Sequence, residues 1–209
     1  MKEVVLSAEM VRELENIYQE LESEYSRVAK ELNFSCSSCP DNCCDSYFLH
    51  HTYLEWVFLW LGFCQLTREK QSELLERCRA YILQCEKAEQ KGERPQVMCP
   101  LNEDGLCILY SHRLLVCRTH GVPATMTRPD GQKLRFPGCF RCQDIVGSKF
   151  ENVEPPAVER TLSLRKIVQL EDELLEHKRH LAPKVRMTIA EMLVRGAPAL
   201  PLPHCERKR

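Results

Sequence analysis

Nine of the thirteen cysteines of this chain lie in three short clusters, and this pattern constrains the fold more than any other feature. The first cluster places four thiols within nine residues. Packing does not explain such spacing, so the clusters predict either disulfide bonds or metal ligation. The candidate ligands are Cys36, Cys39, Cys43 and Cys44 in the first cluster, Cys99, Cys107 and Cys117 in the second, and Cys139 and Cys142 in the third.

Chain length and the first residues of the sequence favour metal over disulfides. A chain of 209 residues with 44% hydrophobic composition can build a core without cross-links. Residues 1–6 lack the apolar core and the cleavage site of a signal peptide, and thirteen cysteines are an odd number to pair. We therefore expect a cytoplasmic protein, because clustered thiols in a reducing compartment bind metals or carry redox chemistry.

The charge of the chain argues against whole classes of partner. With 29 basic and 30 acidic residues the net charge is -1, so we expect no nucleic-acid partner and no membrane partner. The apolar run 56–63 is also much shorter than the roughly 20 residues that span a bilayer. A protein partner stays open. Six basic and three acidic residues within 99–142 give a local excess of +3, which favours the thiolate form that binds metal.

Hydrophobic periodicity predicts a mainly α fold. Ser7 is the expected N-cap of a first helix, whose apolar stripe runs from Val11 to Leu32. A capping-box sequence at 52–55 begins a buried core helix, and a third helix starts near Thr67.

The second half of the chain predicts a more irregular structure before helices resume. Turn sequences at 102–105 and 129–131 interrupt residues 95–150, and the second turn predicts a hairpin. A long helix follows 155–156 with a stripe that extends to Leu181, and a last helix ends at Gly196. We expect one small helical domain over 1–200, with an irregular, hairpin-containing cysteine-rich segment organised around metal. Its cysteine-cluster core is 30–145, its C-terminal helical segment is 155–196, and 201–209 is a disordered tail.

The remaining cysteines and the histidines have plainer interpretations. Buried cysteines on apolar helical stripes behave as small hydrophobic residues, so Cys64, Cys78 and Cys85 are expected core residues. Cys205 belongs to the tail. His120 follows Cys117 at a Cys-x2-His spacing and is the leading histidine candidate for a ligand, ahead of His50, His51 and His112. A role as pH-tuned neighbours of the clusters is equally open for all four.

Several metal arrangements fit the nine thiols. The two Cys-x2-Cys steps, at 36/39 and 139/142, suit a four-cysteine zinc ribbon, but that arrangement leaves five thiols unused. Nine thiols also suit two four-coordinate sites, or one iron–sulfur cluster with a second metal or redox thiols beside it. The adjacent pair Cys43 and Cys44 more easily serves two sites, or one site and the wall between them, because neighbouring side chains diverge. We expect an iron–sulfur cluster, of the 4Fe–4S type, in preference to zinc.

These motifs resemble those of the YkgJ-type cysteine-cluster family. The resemblance lies in Cys36-x2-Cys39-x3-Cys43-Cys44, in the Cys99-Pro100-Leu101 and Gly105-Leu106-Cys107 steps, and in Cys117-Arg118-Thr119-His120-Gly121. That family carries a CxxCxxCC signature and is described as zinc- or iron-chelating, and one branch contains flagellin lysine N-methylases. The chain departs from the signature by one extra residue before Cys43 and by Leu114 where many relatives have proline. The resemblance implies a metal-chelating protein over residues 30–145.

Three functions are therefore weighed. The first is a metal-binding protein that acts as a redox, metal-handling or accessory module. The second is a cluster-dependent enzyme, such as a protein lysine N-methylase or an oxidoreductase. The chain contains no P-loop, GxGxxG, HExxH or GxSxG motif to support it, and whether it is an enzyme stays open. The third is a zinc-stapled interaction domain.

Overall fold

A computed structural model of the chain describes residues 2–36, 43–150 and 153–200, with only the backbone of Cys43. Helices account for 55% of it, which confirms the mainly α prediction. The helices of the described residues are α1 (Ala8–Leu32), α2 (Tyr53–Cys64), α3 (Arg68–Gln90), α4 (Leu115–Thr119), α5 (Phe140–Lys149), α6 (Thr161–Leu174) and α7 (Ile189–Arg195). The strands are β1 (Lys2–Glu3), β2 (Asn102–Glu103), β3 (Leu106–Cys107), β4 (Ala124–Thr127), β5 (Lys133–Phe136), β6 (Val158–Glu159) and β7 (Ala199–Leu200).

The chain divides into two compact units, and one of the four boundaries between them falls between the adjacent cysteines Cys43 and Cys44. Unit 1 consists of 1–11, 44–113 and 168–209, and unit 2 consists of 12–43 and 114–167. Each unit therefore contains cysteines from more than one of the three sequence clusters.

Unit 1 is built around α2, which is buried along most of its length as its apolar sequence predicts. Thr52 caps it: its hydroxyl accepts a hydrogen bond from the Glu55 amide at 3.2 Å and donates one to the Glu55 carboxylate at 2.9 Å. Both α2 and α3 pack against α7. The Trp56 indole N–H donates to the carbonyls of Met192 and Gly196, both at 3.0 Å, and so satisfies the end of α7.

Unit 2 combines most of α1 with a three-stranded sheet in the order β5-β4-β6. The β4–β5 hairpin confirms the turn predicted at 129–131, with Ala124 opposite Phe136, and β6 joins β4 in parallel. The predicted stripe of α1 is buried at Leu21, Val28 and Leu32, because these positions recur at one face of the helix. Ser7 caps α1 as predicted, since its hydroxyl accepts from the Met10 amide at 3.2 Å.

Three sequence predictions are corrected by the structure. The helix after 155–156 ends at Leu174, and Leu181 is 66% exposed, because Glu176 and His177 adopt positive φ angles that end the helix. Within the segment expected to be irregular, α5 is a regular helix of ten residues. Cys64 is exposed at the end of α2 and is not a core residue.

The predicted tail 201–209 and its Cys205 lie outside the described residues. Among the helices of the described residues, none combines the length and the apolar character needed to cross a membrane.

Candidate metal centre: two groups of cysteine thiols

The predicted ligands fall into two groups, one in each unit. The ten cysteines whose side chains are described are not in disulfide bonds. Cys44, Cys99 and Cys107 belong to unit 1, whereas Cys36, Cys117, Cys139 and Cys142 belong to unit 2. Cys39 and the side chain of Cys43 lie outside the described residues.

The first group gathers around Cys99 and joins residues that are more than fifty positions apart in sequence. The amide of Cys99 donates a hydrogen bond to the carbonyl of Cys44 at 2.9 Å, which fixes the two backbones side by side. The Cys99 thiol interacts electrostatically with the thiols of Cys44, Cys107 and Cys78. These four residues are called the Cys99 group below.

A short hairpin brings Cys107 back to Cys99. The Asn102 amide donates to the Cys99 carbonyl at 3.0 Å, and Asn102 is paired with Cys107 across β2 and β3. The turn between the strands uses positive φ angles at Asp104 (48°) and Gly105 (87°), and the Gly105 amide donates to the Asn102 side chain at 3.2 Å. The predicted turn at 102–105 thus places two cysteines next to each other.

The surroundings of Cys99 favour a neutral thiol unless a cation is present. Burial raises the pKa of the Cys99 thiol to about 12, and the neighbouring thiols add to that rise. The Leu101 amide acts in the opposite direction, because its hydrogen bond lowers the pKa. A backbone amide directed at sulfur in this way also stabilises a metal-bound thiolate, so the site fits a thiophilic metal.

Cys78 is the member of the Cys99 group that sequence reasoning assigned to the core. It is fully buried on α3, as predicted, and burial raises the pKa of its thiol to about 12. Its stripe position is typical of a packing residue, and nothing in the local sequence signals a neighbouring thiol. Only the tertiary packing of α3 shows that Cys99 is nearby.

The second group lies in unit 2 around the start of α5. Cys139 is the N-cap residue of α5 and is 9% exposed, and Cys142 is fully buried one turn later. Burial raises the pKa of the Cys142 thiol to about 11, and the thiols of Cys139 and Cys36 add to the rise. Cys36, Cys139 and Cys142 are called the Cys142 group below.

Tyr25 and the loop at Gly121 connect two members of the Cys142 group, Cys36 and Cys139. The Tyr25 hydroxyl lies 3.4 Å from the Cys36 sulfur. A Cβ atom added to Gly121 would lie 2.6 Å from the same hydroxyl, so glycine permits this close approach. The Gly121 carbonyl in turn accepts a hydrogen bond from the Cys139 amide at 3.2 Å. Cys36 and Cys139 are therefore joined through one tyrosine and one loop.

Cys117 and His120 lie directly before the loop at Gly121. Cys117 lies half-buried on α4, which ends at Thr119, and the His120 amide donates to the Val116 carbonyl at 2.8 Å. The short helix α4 thus holds the Cys-x2-His sequence directly before Gly121. This position keeps both side chains as candidate ligands of unit 2.

The other histidines have structural surroundings in unit 1. His50 is 3% exposed, its backbone pairs with Met187, and burial lowers the pKa of its imidazole. His51 Nδ1 lies 3.3 Å from the Val185 carbonyl oxygen. The ring of His112 packs on Phe58 with centroids 4.8 Å apart.

The basic residues predicted to surround the later cysteines have acidic or aromatic neighbours. Arg118 is 8% exposed and contacts Glu22 at 2.5 Å, while Lys133 and Arg135 both contact Glu154 at 3.3 and 3.1 Å. Arg160 is different, since its guanidinium is buried, donates to the Thr119 carbonyl at 3.2 Å and lies over the Phe136 ring. Burial lowers the pKa of Arg160 to about 10. Unit 2 thus contains a buried cation whose described contacts are a backbone carbonyl and an aromatic ring.

The described part of the chain does not contain a ready-formed metal site. No three histidine, cysteine, aspartate or glutamate side chains among 2–36, 44–150 and 153–200 form a group that could hold a metal ion as they stand. Within each group the other thiols interact electrostatically with one central thiol, Cys99 or Cys142, and binding an ion would require them to turn toward a common point.

Comparison of the chain with protein-family models, with curated proteins and with solved structures gave no match. The fold and the thiol groups define the class of protein by themselves: a mainly helical protein with two groups of cysteine thiols, in which Cys78, Cys139 and Cys142 are buried.

Proposed function

We propose that this protein binds metal through the two thiol groups and acts as a redox, metal-handling or accessory module. The observation that carries the proposal is the convergence of cysteines far apart in sequence, in which Cys44 lies beside Cys99 and Cys36 interacts with Cys142. Hydrophobic packing does not require thiols to collect in this way, whereas an ion that takes four sulfur ligands does. The similarity of the motifs to the YkgJ-type family supports the same proposal.

An iron–sulfur cluster is the preferred cofactor, and zinc is the alternative. Both take four thiolate ligands, and binding of either one must displace protons from thiols whose pKa is raised by burial. Cys44, Cys99 and Cys107 would contribute to one site, and Cys36, Cys117, Cys139 and Cys142 to the other. Cys39 and Cys43 stay predicted ligands whose side chains lie outside the described residues. When bound, an iron–sulfur cluster supplies one-electron transfer and zinc supplies a structural cross-link.

The zinc-stapled domain is a second candidate because of the burial in the Cys99 group. Cys78 is fully buried, Cys44, Cys99 and Cys107 are half-buried, and a closed shell of four thiolates is typical of structural zinc. A cluster-dependent enzyme would instead need an open ligand position beside a substrate pocket.

Anaerobic purification followed by elemental analysis tests the proposal. We expect iron with acid-labile sulfide, or stoichiometric zinc, in the wild-type protein. Cys99→Ala and Cys36→Ala should each lose the metal of one site, because one variant affects each thiol group. Cys64→Ala is the matched control, since Cys64 is exposed and belongs to neither group. Wild-type metal content in both ligand variants would refute the proposal, and the visible absorption of thiolate-bound iron would decide between iron and zinc.

A further inference from the structure

We infer that Cys78 is a metal ligand that completes a four-thiol site with Cys44, Cys99 and Cys107. This inference rests on the proposed metal-binding function and adds to it a ligand that lies outside every cysteine motif of the sequence. Tetrahedral zinc and a cubane iron–sulfur cluster each take four protein ligands. In unit 1 the motif clusters supply three, and the fourth comes from α3.

Salt bridges attach the helical turn that contains Cys78 to the hairpin that contains the other thiols. Arg77 precedes Cys78, and its guanidinium donates to the Asn102 carbonyl and to the Glu103 carboxylate, both at 2.5 Å. Lys70, two turns earlier on α3, also contacts Glu103 at 2.6 Å. Arg77 thereby fixes this turn of α3 against the hairpin, and the adjacent Cys78 is fully buried and interacts electrostatically with Cys99.

An orphaned donor supports the presence of sulfur ligands at this place. The side-chain nitrogen Nδ2 of Asn102 is buried and has no hydrogen-bond partner among the described residues. A buried amide donor without an acceptor is destabilising. Asn102 lies between Cys99, whose carbonyl accepts from its backbone, and Cys107, its partner across the hairpin. A thiolate of the loaded site is the acceptor that this donor lacks, as N–H donors to sulfur commonly surround metal centres.

Cys85 provides the matched control on the same helix. It is also buried on the stripe of α3, at 5% exposure, but its thiol is hydrogen-bonded to the Tyr81 hydroxyl. Removing Cys85 therefore deletes a buried thiol of the same helix face without deleting a proposed ligand.

The test is the metal content of Cys78→Ala, Cys85→Ala and Cys99→Ala after anaerobic purification of the full chain. We expect Cys78→Ala to lose the metal of one site, as Cys99→Ala does, and Cys85→Ala to keep the wild-type content. If Cys99→Ala loses metal while Cys78→Ala keeps it, Cys78 is not a ligand and the proposed function still stands. If neither loses metal, the unit 1 site itself is refuted, and Cys36→Ala then decides whether the metal-binding proposal survives in unit 2.

A measurement on the wild-type chain tests the inference even if a variant fails to fold. The protein is loaded with cadmium-113, and cysteine β-protons that couple to the metal are identified by proton–cadmium correlation NMR. Coupling to the Cys78 β-protons establishes ligation. Coupling to the β-protons of Cys99 and Cys107 without coupling to those of Cys78 overturns the inference that Cys78 is a ligand.

Discussion

Replacing Gly138 by alanine should both destabilise unit 2 and weaken metal binding by the Cys142 group. Gly138 adopts φ 85°, a left-handed conformation that costs an L-residue about 1–2 kcal/mol. Its new Cβ would also lie 2.8 Å from the Gly121 carbonyl oxygen and 2.8 Å from the Val122 carbonyl carbon. These are backbone atoms, so no side-chain rotation relieves the clash, and overpacking adds about 1–3 kcal/mol. The expected total loss is about 2–5 kcal/mol.

Gly131→Ala is the matched control for this prediction. Gly131 lies in unit 2 with nearly the same φ, 84°, but apart from its chain neighbours no described residue has an atom within 4 Å of its added Cβ. The control therefore retains the conformational cost of about 1–2 kcal/mol and omits the clash. The difference between the two variants isolates the contact between Gly138 and the loop at Gly121.

The assay is denaturant unfolding followed by circular dichroism, together with metal content per chain. We expect Gly138→Ala to lose metal from one site, because the clash pushes apart the Cys139 amide and the Gly121 carbonyl that hold the site together. Gly131→Ala should keep its metal. Equal free energies of unfolding and equal metal contents in the two variants would refute the reasoning.

Two further predictions concern buried charge in unit 1. Arg179→Met should lower the free energy of unfolding by about 3 kcal/mol at pH 7, the low end for a broken buried pair, because Arg179 is 32% exposed while its partner Glu171 is 4% exposed. Burial raises the pKa of Glu171, whereas Arg179 acts in the opposite direction, so removing Arg179 should raise that pKa further. The unpaired carboxylate then takes up a proton more readily, and the loss should shrink as the pH is lowered from 7; a pH-independent loss would contradict this. Burial also lowers the pKa of His50, and Glu55 and His51 are the charged groups that act on it. Below about pH 6.5 the unfolded chain binds a proton that folded His50 does not, so stability should fall by at most about 1.4 kcal/mol per pH unit on acidification, and His50→Gln should remove that slope in denaturation curves.

Local patterns predicted the helices that begin at Ala8, Tyr53 and Arg68, because each has a polar cap followed by an apolar stripe or, at Tyr53, by a continuous apolar run. The same reasoning extended α6 to Leu181, since the stripe continues in the sequence past the residues whose positive φ angles end the helix. It overlooked α5, whose ten residues include Gly147 and lack a continuous apolar face.

The candidate site could be predicted only as a list of ligands. The prediction that Cys43 and Cys44 serve two sites, or one site and the wall between them, stays a prediction, because the Cys43 side chain lies outside the described residues. The assignment of thiols to groups depends on tertiary contacts, such as the hydrogen bond between Cys99 and Cys44. A stripe position such as that of Cys78 is the same whether the residue packs against leucine or faces another sulfur, so periodicity cannot distinguish the two.

The positions of the two tryptophans have a consequence for spectroscopy. The chain contains two tryptophans, Trp56 and Trp60, and both lie on α2 in unit 1. Intrinsic tryptophan emission therefore reports the melting of unit 1, while unit 2 could lose its structure without a direct signal. Emission and ellipticity curves that fail to coincide would reveal two cooperative blocks, and their midpoints would show which block each metal protects.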